Sequence, residues 1–332
     1  MNRRRLVISV VLVGLLAFVY FSTRGPTPPT PNPPGTFSFA VLGDAPYYAW
    51  EELQHQIVLD ELELNDLSVV IHIGDIFWRP CTDEFYRRSL GWYNGLRHPV
   101  VLTPGDNEWT DCWEPGSGAF APLERLARLR EIFYANPTRS LGGAPLALET
   151  QGADERFGEF VENARWQHAG LVFGTVHLVG SWNGLEDFEG RTNEDGEAVI
   201  ERTAAAEAWM RETFAAARST DATAVVLAFH ANPGFEEPAD DSYRRTYEPF
   251  IEALEEEAEA FAGPVLLVHG DDHEYTVDHP LIRRASGRPL ENLTRMQVPG
   301  SPQVGWVRVT VTPGAAEPFA FESSVVPRWK YW

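Results

Sequence analysis

The stretch Leu67-Ser68-Val69-Val70-Ile71-His72-Ile73-Gly74-Asp75 decides the fold. Its mostly apolar residues, from Leu67 to Ile73, run directly into a glycine and an aspartate. A short apolar run that ends at a turn residue is typical of a strand buried inside a sheet. Glycine lets the chain turn sharply at the end of such a strand. The stretch therefore predicts a buried strand with a carboxylate at its C-terminal end.

The same pattern occurs once before and once after this stretch. Thr36 to Leu42 runs into Gly43-Asp44, and Pro99 to Thr103 leads into Pro104-Gly105-Asp106. The three aspartates stand at positions 44, 75 and 106, so each interval is 31 residues, close to the length of one βαβ unit. An amphipathic helix after the first strand is indicated by apolar residues at helical spacing, namely Trp50, Leu53, Ile57, Val58 and Leu62.

The remainder of the chain continues this alternation. Strand-like runs are Leu171–Val179, Ala224–Phe229 and Val265–Val268, with helical segments around Ala204–Ala217 and Tyr247–Phe261. Residues 304–312 and 319–326 have β-type patterning with no helix between them. A parallel βαβ half followed by a β-rich part predicts α/β layers with a mixed or second sheet. Ligands in such folds bind beyond the carboxyl ends of the strands, where the Gly-Asp pairs stand.

Histidines follow two of the later strands. His230 ends the run Leu227-Ala228-Phe229-His230, and His269-Gly270-Asp271-Asp272-His273 follows the strand at Val265. Carboxylate oxygens bind hard divalent cations, and imidazole suits zinc, iron and manganese. One Gly-Asp pair is typical of an ordinary turn. Three at even spacing, together with these histidines at strand ends, predict a site for two metal ions that share a carboxylate.

The order of these motifs resembles that of the calcineurin-like metallophosphoesterases, which include the purple acid phosphatases. Their motifs are Asp-x-His, Gly-Asp, Gly-Asn-His-(Asp/Glu), an apolar run ending in His, and Gly-His-x-His, and the resemblance spans Phe37 to His273. It implies an α/β fold, a layered α/β/β/α sandwich with two mixed β-sheets and the metal site at the carboxyl ends of the strands. It also implies metal-dependent hydrolysis of phosphate mono- or diesters by a metal-bridged hydroxide. The cofactors would be two divalent ions, drawn from Mn, Fe, Zn, Mg or Ca, and the partner a small phosphorylated substrate.

The resemblance also implies a ligand for each motif. Asp44 resembles the first ligand of one ion, and Asp75 resembles the carboxylate that bridges both. The third motif aligns without gaps to Pro104-Gly105-Asp106-Asn107-Glu108, and the last to Gly270-Asp271-Asp272-His273. The complete implied ligand set is Asp44, Asp75, Asp106, His230, Asp271 and His273.

Three departures from the family pattern bear on catalysis. Pro46 stands where the first motif has its histidine, and proline cannot bind a metal. Anionic Asp106 and Asp271 replace neutral ligands, which favours Mn, Mg or Ca over zinc. Asn107 stands where the family has the histidine that protonates the leaving group. The candidate catalytic residues are therefore Asn107 and its possible replacements Glu108 and His269.

Two alternatives stay open. A non-catalytic metal-binding relative that serves as a cell-surface interaction module would also lack these histidines. An unrelated exported α/β protein with purely structural Gly-Asp turns would also carry the three pairs.

Four further residues are singled out by their positions near motifs. Tyr47 follows the first motif and Asn183 follows the strand at Leu171, so both are candidates to contact substrate. Cys81 and Cys112 each come a few residues after a motif at a strand end. Since export permits disulfides, a bond between them is favoured over two free thiols.

The N-terminus predicts export. The basic cluster Asn2-Arg3-Arg4-Arg5 precedes sixteen residues, Leu6 to Phe21, without a charge, and such a segment directs export with its positive end in the cytoplasm. We predict an uncleaved signal anchor over residues 1–24, a proline-rich linker over residues 25–35, and the metallophosphoesterase domain over residues 36–332. The domain is then membrane-anchored and extracytoplasmic, in the periplasm or at the cell surface. Secretion after signal cleavage is the alternative, and the oligomeric state stays open.

Formal charge excludes one class of partner. The chain carries 48 acidic and 27 basic residues, a net charge of −21. This surface repels nucleic acid, so no binding to a nucleic-acid backbone is expected. An anionic substrate is still compatible, because bound divalent cations reverse the field locally.

Overall fold

Two mixed β-sheets stack face to face in the computed structural model, which describes residues 30–328. The first sheet has its strands in the spatial order β12 (Phe319–Val325), β11 (Gly305–Val311), β1 (Phe37–Leu42), β2 (Val70–His72) and β3 (Val100–Leu102). The strands β1, β2 and β3 are parallel, whereas β11 and β12 are antiparallel to their neighbours. The three predicted Gly-Asp strands are therefore the parallel part of this sheet.

The second sheet contains the later strands of the chain. Its spatial order is β4 (Glu149–Thr150), β5 (Ala164–His168), β6 (Leu171–Thr175), β7 (Ala224–Ala228), β8 (Val265–His269), β10 (Leu293–Gln297) and β9 (Thr276–Asp278). The strands β6, β7, β8 and β10 are parallel to one another. At the edges, β5 pairs antiparallel with β6, β4 with β5, and β9 with β10. Both sheets are thus mixed, as the resemblance implied.

Helices cover the outer face of each sheet. The first sheet is covered by α1 (Ala49–Glu63), α2 (Asp83–Gly95) and α3 (Pro122–Phe133), and the second by α4 (Asn193–Ser219) and α5 (Glu248–Ala260). Short 3-10 helices are Thr110–Trp113, Pro115–Ser117, Gln151–Ala153 and Arg244–Thr246. The layers are therefore α/β/β/α, and the predicted fold is confirmed.

Alternation along β1 shows how the sequence builds these layers. Phe39 and Val41 point between the sheets, while Ala40 and Leu42 point towards the helices. Successive side chains of a strand face opposite sides, so a strand with both faces covered must be apolar throughout. Phe39 meets Phe173 of the second sheet edge-on, with ring centroids 5.4 Å apart. Burial of such a side chain stabilises the fold by roughly 1.5–3 kcal/mol.

Two element boundaries differ from the sequence prediction. The run Leu171–Val179 forms a strand only to Thr175, because the chain then leaves the sheet towards the site. The helix predicted around Ala204–Ala217 begins earlier, at Asn193. Thr192 and Asp195 form a capping box there, in which each residue's side chain bonds the other's backbone N–H. Such a box satisfies donors that would otherwise be unpaired at the start of a helix.

The N-terminal predictions lie mostly outside the described residues. The predicted anchor at residues 1–24 is wholly outside them and stays a prediction. The last part of the predicted linker is described, and there the Thr30 amide donates to the Leu64 carbonyl (2.8 Å) and Ser38 donates to the Asn32 side chain (2.6 Å). Within residues 30–328, no helix has both the length and the apolar character needed to cross a membrane.

The predicted disulfide is present. Cys81 follows β2 and Cys112 follows β3, and the two are bonded with their Cα atoms 5.7 Å apart. The two cysteines are 31 positions apart in sequence. Their bond connects the two loops that follow the second and third Gly-Asp motifs.

Candidate metal centre

The carboxyl ends of both sheets meet at one place, and the predicted ligands lie there. Two overlapping groups have ligand atoms within 4.8 Å of one another: Asp44, Asp75 and His230, and Asp106, His230 and Asp271. The aspartates at 44, 75 and 106 follow β1, β2 and β3, whereas His230 and Asp271 follow β7 and β8. Residues nearly 230 positions apart in sequence therefore form one cluster.

His230 stands at the centre of this cluster and is fully buried. Its Nδ1 lies 3.0 Å from the Ile73 carbonyl oxygen, which can only accept, so Nδ1 carries a proton. Its Nε2 lies 2.8 Å from Asp106, 3.5 Å from Asp75 and 3.7 Å from Asp271. A backbone carbonyl that orients one nitrogen leaves the other free to bind a metal, as is usual for histidine ligands.

Asp44 carries an unpaired oxygen that fits a cation. Its side chain is fully buried, and Oδ1 accepts the backbone N–H of Asp271 at 3.2 Å. Its other oxygen, Oδ2, is buried without a hydrogen-bond partner. Burial of an unpaired carboxylate oxygen is costly, and such groups in proteins usually have an ion or a donor beside them. The donor set of this cluster therefore fits a divalent metal.

His273 is held in the same manner as His230. Its Nδ1 donates to the Ser301 carbonyl at 2.6 Å, which leaves Nε2 facing the cluster 4.0 Å from Asp44. The Tyr47 hydroxyl lies 3.2 Å from the same Nε2 and donates to Asp75. His273 and Tyr47 thus close the cluster on the Asp44 side.

The remaining ligands are each oriented by a neighbour. Asp75 accepts both the backbone N–H (3.1 Å) and the side-chain amide (2.5 Å) of Asn107. Asp106 accepts the Ser181 hydroxyl at 2.7 Å. Asp271 accepts the backbone N–H of Asn232 at 3.1 Å. Such partners fix the direction in which a carboxylate presents its free lone pairs.

Backbone strain is concentrated at these ligands. Asp44, Asp75, Asp271 and His273 all have positive φ, between 52° and 79°. Residues other than glycine adopt this conformation only where the surroundings impose it, and they do so chiefly at functional sites. Gly74 has φ 100°, and a Cβ on it would come within 2.3 Å of the backbone nitrogen of Gly105. The glycine of the second motif is therefore required by a close approach of two loops as well as by its conformation.

Negative charge dominates the cluster. Burial raises the pKa of Asp44 and, more strongly, that of Asp75, and it raises the pKa of Asp271 to about 7. Burial alone would lower the pKa of His230, but Asp75 and Asp106 raise it well above its ordinary value. At Asp106, by contrast, burial is outweighed chiefly by the hydrogen bond to His230 and by its charge, and the pKa is lowered to about 2. Three of the four carboxyls thus hold protons more tightly than usual, and a cation bound among them would stabilise their charged forms.

Two predicted catalytic residues, Glu108 and His269, have other contacts in the structure. Both oxygens of Glu108 accept backbone N–H groups, from Ile76 at 2.6 Å and from Gly105 at 2.9 Å. Glu108 therefore links two loops beside the cluster, with both oxygens taken by backbone donors. His269 lies on the helix side of the second sheet, parallel to the Phe229 ring with centroids 5.8 Å apart. The alternation of β8 turns it away from the site, and burial lowers its pKa to about 4.

The substrate predictions are also revised. Asn183 is fully buried and accepts from Arg202 while it donates to Thr203 at 3.0 Å. It therefore holds a turn in place and does not face the cleft. Tyr47, predicted at the rim, belongs to the cluster itself. Burial and the Asp75 carboxylate raise the pKa of Tyr47 well above its ordinary value, so its hydroxyl keeps the proton that it donates.

Sequence reasoning missed three polar neighbours of the ligands, Ser181, Asn232 and Tyr243. The Tyr243 hydroxyl lies 3.4 Å from Asp271 and donates to the Asn232 carbonyl at 2.8 Å. Asn232 could have been found from its place two residues after His230. Tyr243 carries no such signal, because it reaches the site from a loop between β7 and α5.

The fold has two stacked mixed sheets. Buried carboxylates and histidines that could bind a metal lie where the carboxyl ends of their strands meet. The sequence model of the calcineurin-like phosphoesterases matches residues 37–275, which is more than half of the chain. The chain therefore belongs to the calcineurin-like phosphoesterase family. No curated protein matches it in sequence.

Solved structures align with this chain at low sequence identity. The structure of PhoD aligns with a TM-score of 0.54 at 15% identity, over 92% of this chain and 71% of that chain. A 5′-nucleotidase from Candida albicans SC5314 aligns with a TM-score of 0.43 at 11% identity, over 86% of this chain and 50% of that chain. A phosphopantetheinyl hydrolase (PptH) from Mycobacterium tuberculosis aligns with a TM-score of 0.36 at 14% identity, over 80% of this chain and 90% of that chain.

We expect Asp271→Asn to have opposite effects on metal-free stability and on metal binding. The pKa of Asp271 is raised from 3.8 to about 7 in the folded chain, so the folded state holds this proton more tightly. Stability is then lost as pH rises from about 4 to 7. Without the carboxyl, the metal-free protein at pH 8 should gain on the order of 2 kcal/mol, while affinity for Mn should fall at least 10–100-fold.

Chemical denaturation at pH 5 and pH 8 and Mn titration measure the two effects. Asp272→Asn is the matched control, because this neighbouring carboxylate is exposed and bonds the Asn232 amide. A loss of metal-free stability at pH 8 in Asp271→Asn would contradict the raised pKa of Asp271.

Proposed function

We propose that the protein hydrolyses phosphate mono- or diesters outside the cytoplasm with the help of two divalent cations. The observation that carries this is the convergence of two overlapping groups of candidate ligands, Asp44, Asp75 and His230 on one side and Asp106, His230 and Asp271 on the other. Membership of the calcineurin-like phosphoesterase family supports the same reaction class.

The ligands divide between the two positions as follows. Asp44 and His273 serve the first position, and Asp106, His230 and Asp271 serve the second. Asp75 lies between them and serves both. Four of the six side chains offer carboxylate oxygens, which favours hard ions such as Mn, Mg or Ca.

Residues around these ligands set the geometry of the reaction. Cations bound in such a pair supply charge stabilisation to the phosphoryl group and lower the pKa of water. Asn107 holds Asp75 through two N–H donors, so it fixes the bridging carboxylate. An amide cannot give a proton to a departing alkoxide. Both oxygens of Glu108 accept backbone N–H groups, and His269 lies on the helix side of its sheet, so neither is placed to supply that proton.

The central test is metal-dependent turnover. The full-length chain, stripped of metal and given Mn, should hydrolyse 4-nitrophenyl phosphate or bis(4-nitrophenyl) phosphate and retain between one and two ions per chain by elemental analysis. Asp75→Ala should lower kcat/KM by roughly 10²–10³-fold, because it removes the shared ligand. Asp60→Ala, an exposed carboxylate on α1, is the matched control and should change nothing.

A second prediction follows from the position of Asn107. General acids typically contribute about 10²–10⁴-fold to such reactions. Without one, single-turnover rates should depend strongly on the leaving group, and phenyl phosphate should react at least about tenfold more slowly than 4-nitrophenyl phosphate. Equal rates for the two esters would show that another residue protonates the leaving group.

The alternative function is a non-catalytic metal-binding module at the cell surface. It is favoured by two specific substitutions, since Pro46 and Asn107 stand where the family has histidines. Mn binding with no turnover on either ester would establish this alternative. Absence of any bound metal would contradict both functions.

We place the domain outside the cytoplasm, anchored by residues 1–24. Support comes from the basic cluster before sixteen uncharged residues, and from the disulfide Cys81–Cys112, since disulfides persist in oxidising compartments. Acid trapping of thiols in cells that produce the full-length chain should find this pair oxidised, with the chain in the membrane fraction. A reduced pair would place the domain in the cytoplasm, and a chain found only in the medium would indicate cleavage.

A further inference from the structure

A left-handed turn stands beside the cluster. In the segment Gly180–Gly184, residues Ser181, Trp182 and Asn183 all have φ between 48° and 58° and ψ between 33° and 51°. This conformation costs an L-residue roughly 1–2 kcal/mol. Three consecutive non-glycine residues adopt it only when the surroundings impose it.

The surroundings of the turn explain how it is held. Asn183 accepts from Arg202 at 2.7 Å, and its backbone N–H donates to the Tyr247 hydroxyl at 2.9 Å. At the other end, Gly180 lies so close to two ligands that a Cβ would stand 2.6 Å from Asp271 and 2.8 Å from Asp106. The turn is therefore pressed against the Asp106–Asp271 side of the cluster.

Trp182 is only partly buried in this arrangement. Its side chain is 39% exposed, and the Tyr243 ring meets it edge-on with centroids 5.5 Å apart. The Tyr243 hydroxyl in turn lies 3.4 Å from Asp271. One tyrosine ring thus separates an exposed indole from a candidate metal ligand. A large aromatic side chain, held by a strained backbone and left in solvent at the edge of a site, indicates a binding role.

Charge at the site points to the same role. All ion-pair contacts of Asp44, Asp75, Asp106 and Asp271 within the described residues are to His230 or His273. No arginine or lysine of residues 30–328 pairs with these carboxylates. Uncharged contacts are then a source of affinity for an ester beyond what the cations give to its phosphate. Stacking on an aromatic side chain is the strongest of these for a flat ring.

We propose that Trp182, backed by Tyr243, stacks on a flat aromatic ring carried next to the phosphate of the substrate. The substrate class is therefore an aromatic phosphoester, either an aryl phosphate or a nucleotide. This assignment rests on the hydrolase function proposed above and adds the group that the enzyme selects.

Kinetics with three esters test the assignment. For the full-length Mn-loaded chain, kcat/KM is measured on 4-nitrophenyl phosphate, a nucleoside monophosphate and glycerol 2-phosphate. Trp182→Ala should lower the ratio of the aromatic to the glycerol ester by about tenfold, which is about 1.4 kcal/mol, through a rise in KM for the aromatic ester. A fall in this ratio for 4-nitrophenyl phosphate indicates an aryl phosphate substrate, and a fall for the nucleoside monophosphate indicates a nucleotide.

Two variants keep this test specific. Trp182→Phe retains an aromatic ring for stacking, so its ratio of kcat/KM values for the aromatic and glycerol esters should stay close to that of the wild-type chain. Ile200→Ala is the matched control, because Ile200 is an apolar side chain on α4 that is 70% exposed, and it should leave the ratio unchanged. Thermal melting confirms that each variant is folded. An unchanged ratio in Trp182→Ala would overturn the assignment while hydrolysis itself stands.

A binding measurement separates the assignment from the hydrolase function. Phenylphosphonate and methylphosphonate differ in the ring and are not hydrolysed, so their dissociation constants can be measured on the Mn-loaded chain. The wild-type chain should bind the phenyl compound about tenfold more tightly, and Trp182→Ala should lose this preference. If no ester is turned over but the preference is present, the hydrolase function fails and the ring site stands. If the preference is absent in the wild-type chain, the ring site fails.

Discussion

Burial of four carboxyl groups around one imidazole is the constraint on which the rest of the structure depends. Asp44, Asp75, Asp106 and Asp271 meet around a single buried imidazole, His230, and one oxygen of Asp44 has no partner at all. A folded chain keeps such a group only if something of opposite charge joins it or if protons are taken up. Burial raises the pKa of Asp44, Asp75 and Asp271, so it favours proton uptake at these three carboxyls, whereas Asp106 is held charged by its hydrogen bond to His230.

The scaffold is arranged to hold this unfavourable cluster in one geometry. A disulfide and the buried Glu108 both tie the loop after β2 to the loop after β3. Asn107 fixes Asp75 from the same loop, while backbone carbonyls fix the rings of His230 and His273. Stacked apolar sheets provide the rigid base, so the strain in the ligand backbones is balanced by packing elsewhere in the fold.

The sequence predicts the layers and the ligands because both depend on local patterns. An apolar run that ends in Gly-Asp fixes a strand, its end and a carboxylate together, and the carboxyl ends of parallel strands meet at one edge. The sequence predicts Glu108, His269 and Asn183 at the site because they lie next to motifs, but side-chain direction is set by contacts distant in sequence. Strand alternation turns His269 away, and Arg202 and Tyr247 hold Asn183 in the core. Tyr243 reaches the cluster only through tertiary packing.

The most direct test of the central claim is anomalous diffraction from crystals of the protein grown with Mn. Convergence of these side chains predicts two anomalous peaks about 3.5–4 Å apart, with Asp75 bound to both and His230 bound to at least one. Peaks only at the surface, or a Mn ion in the cluster without Asp75 among its ligands, would contradict the account.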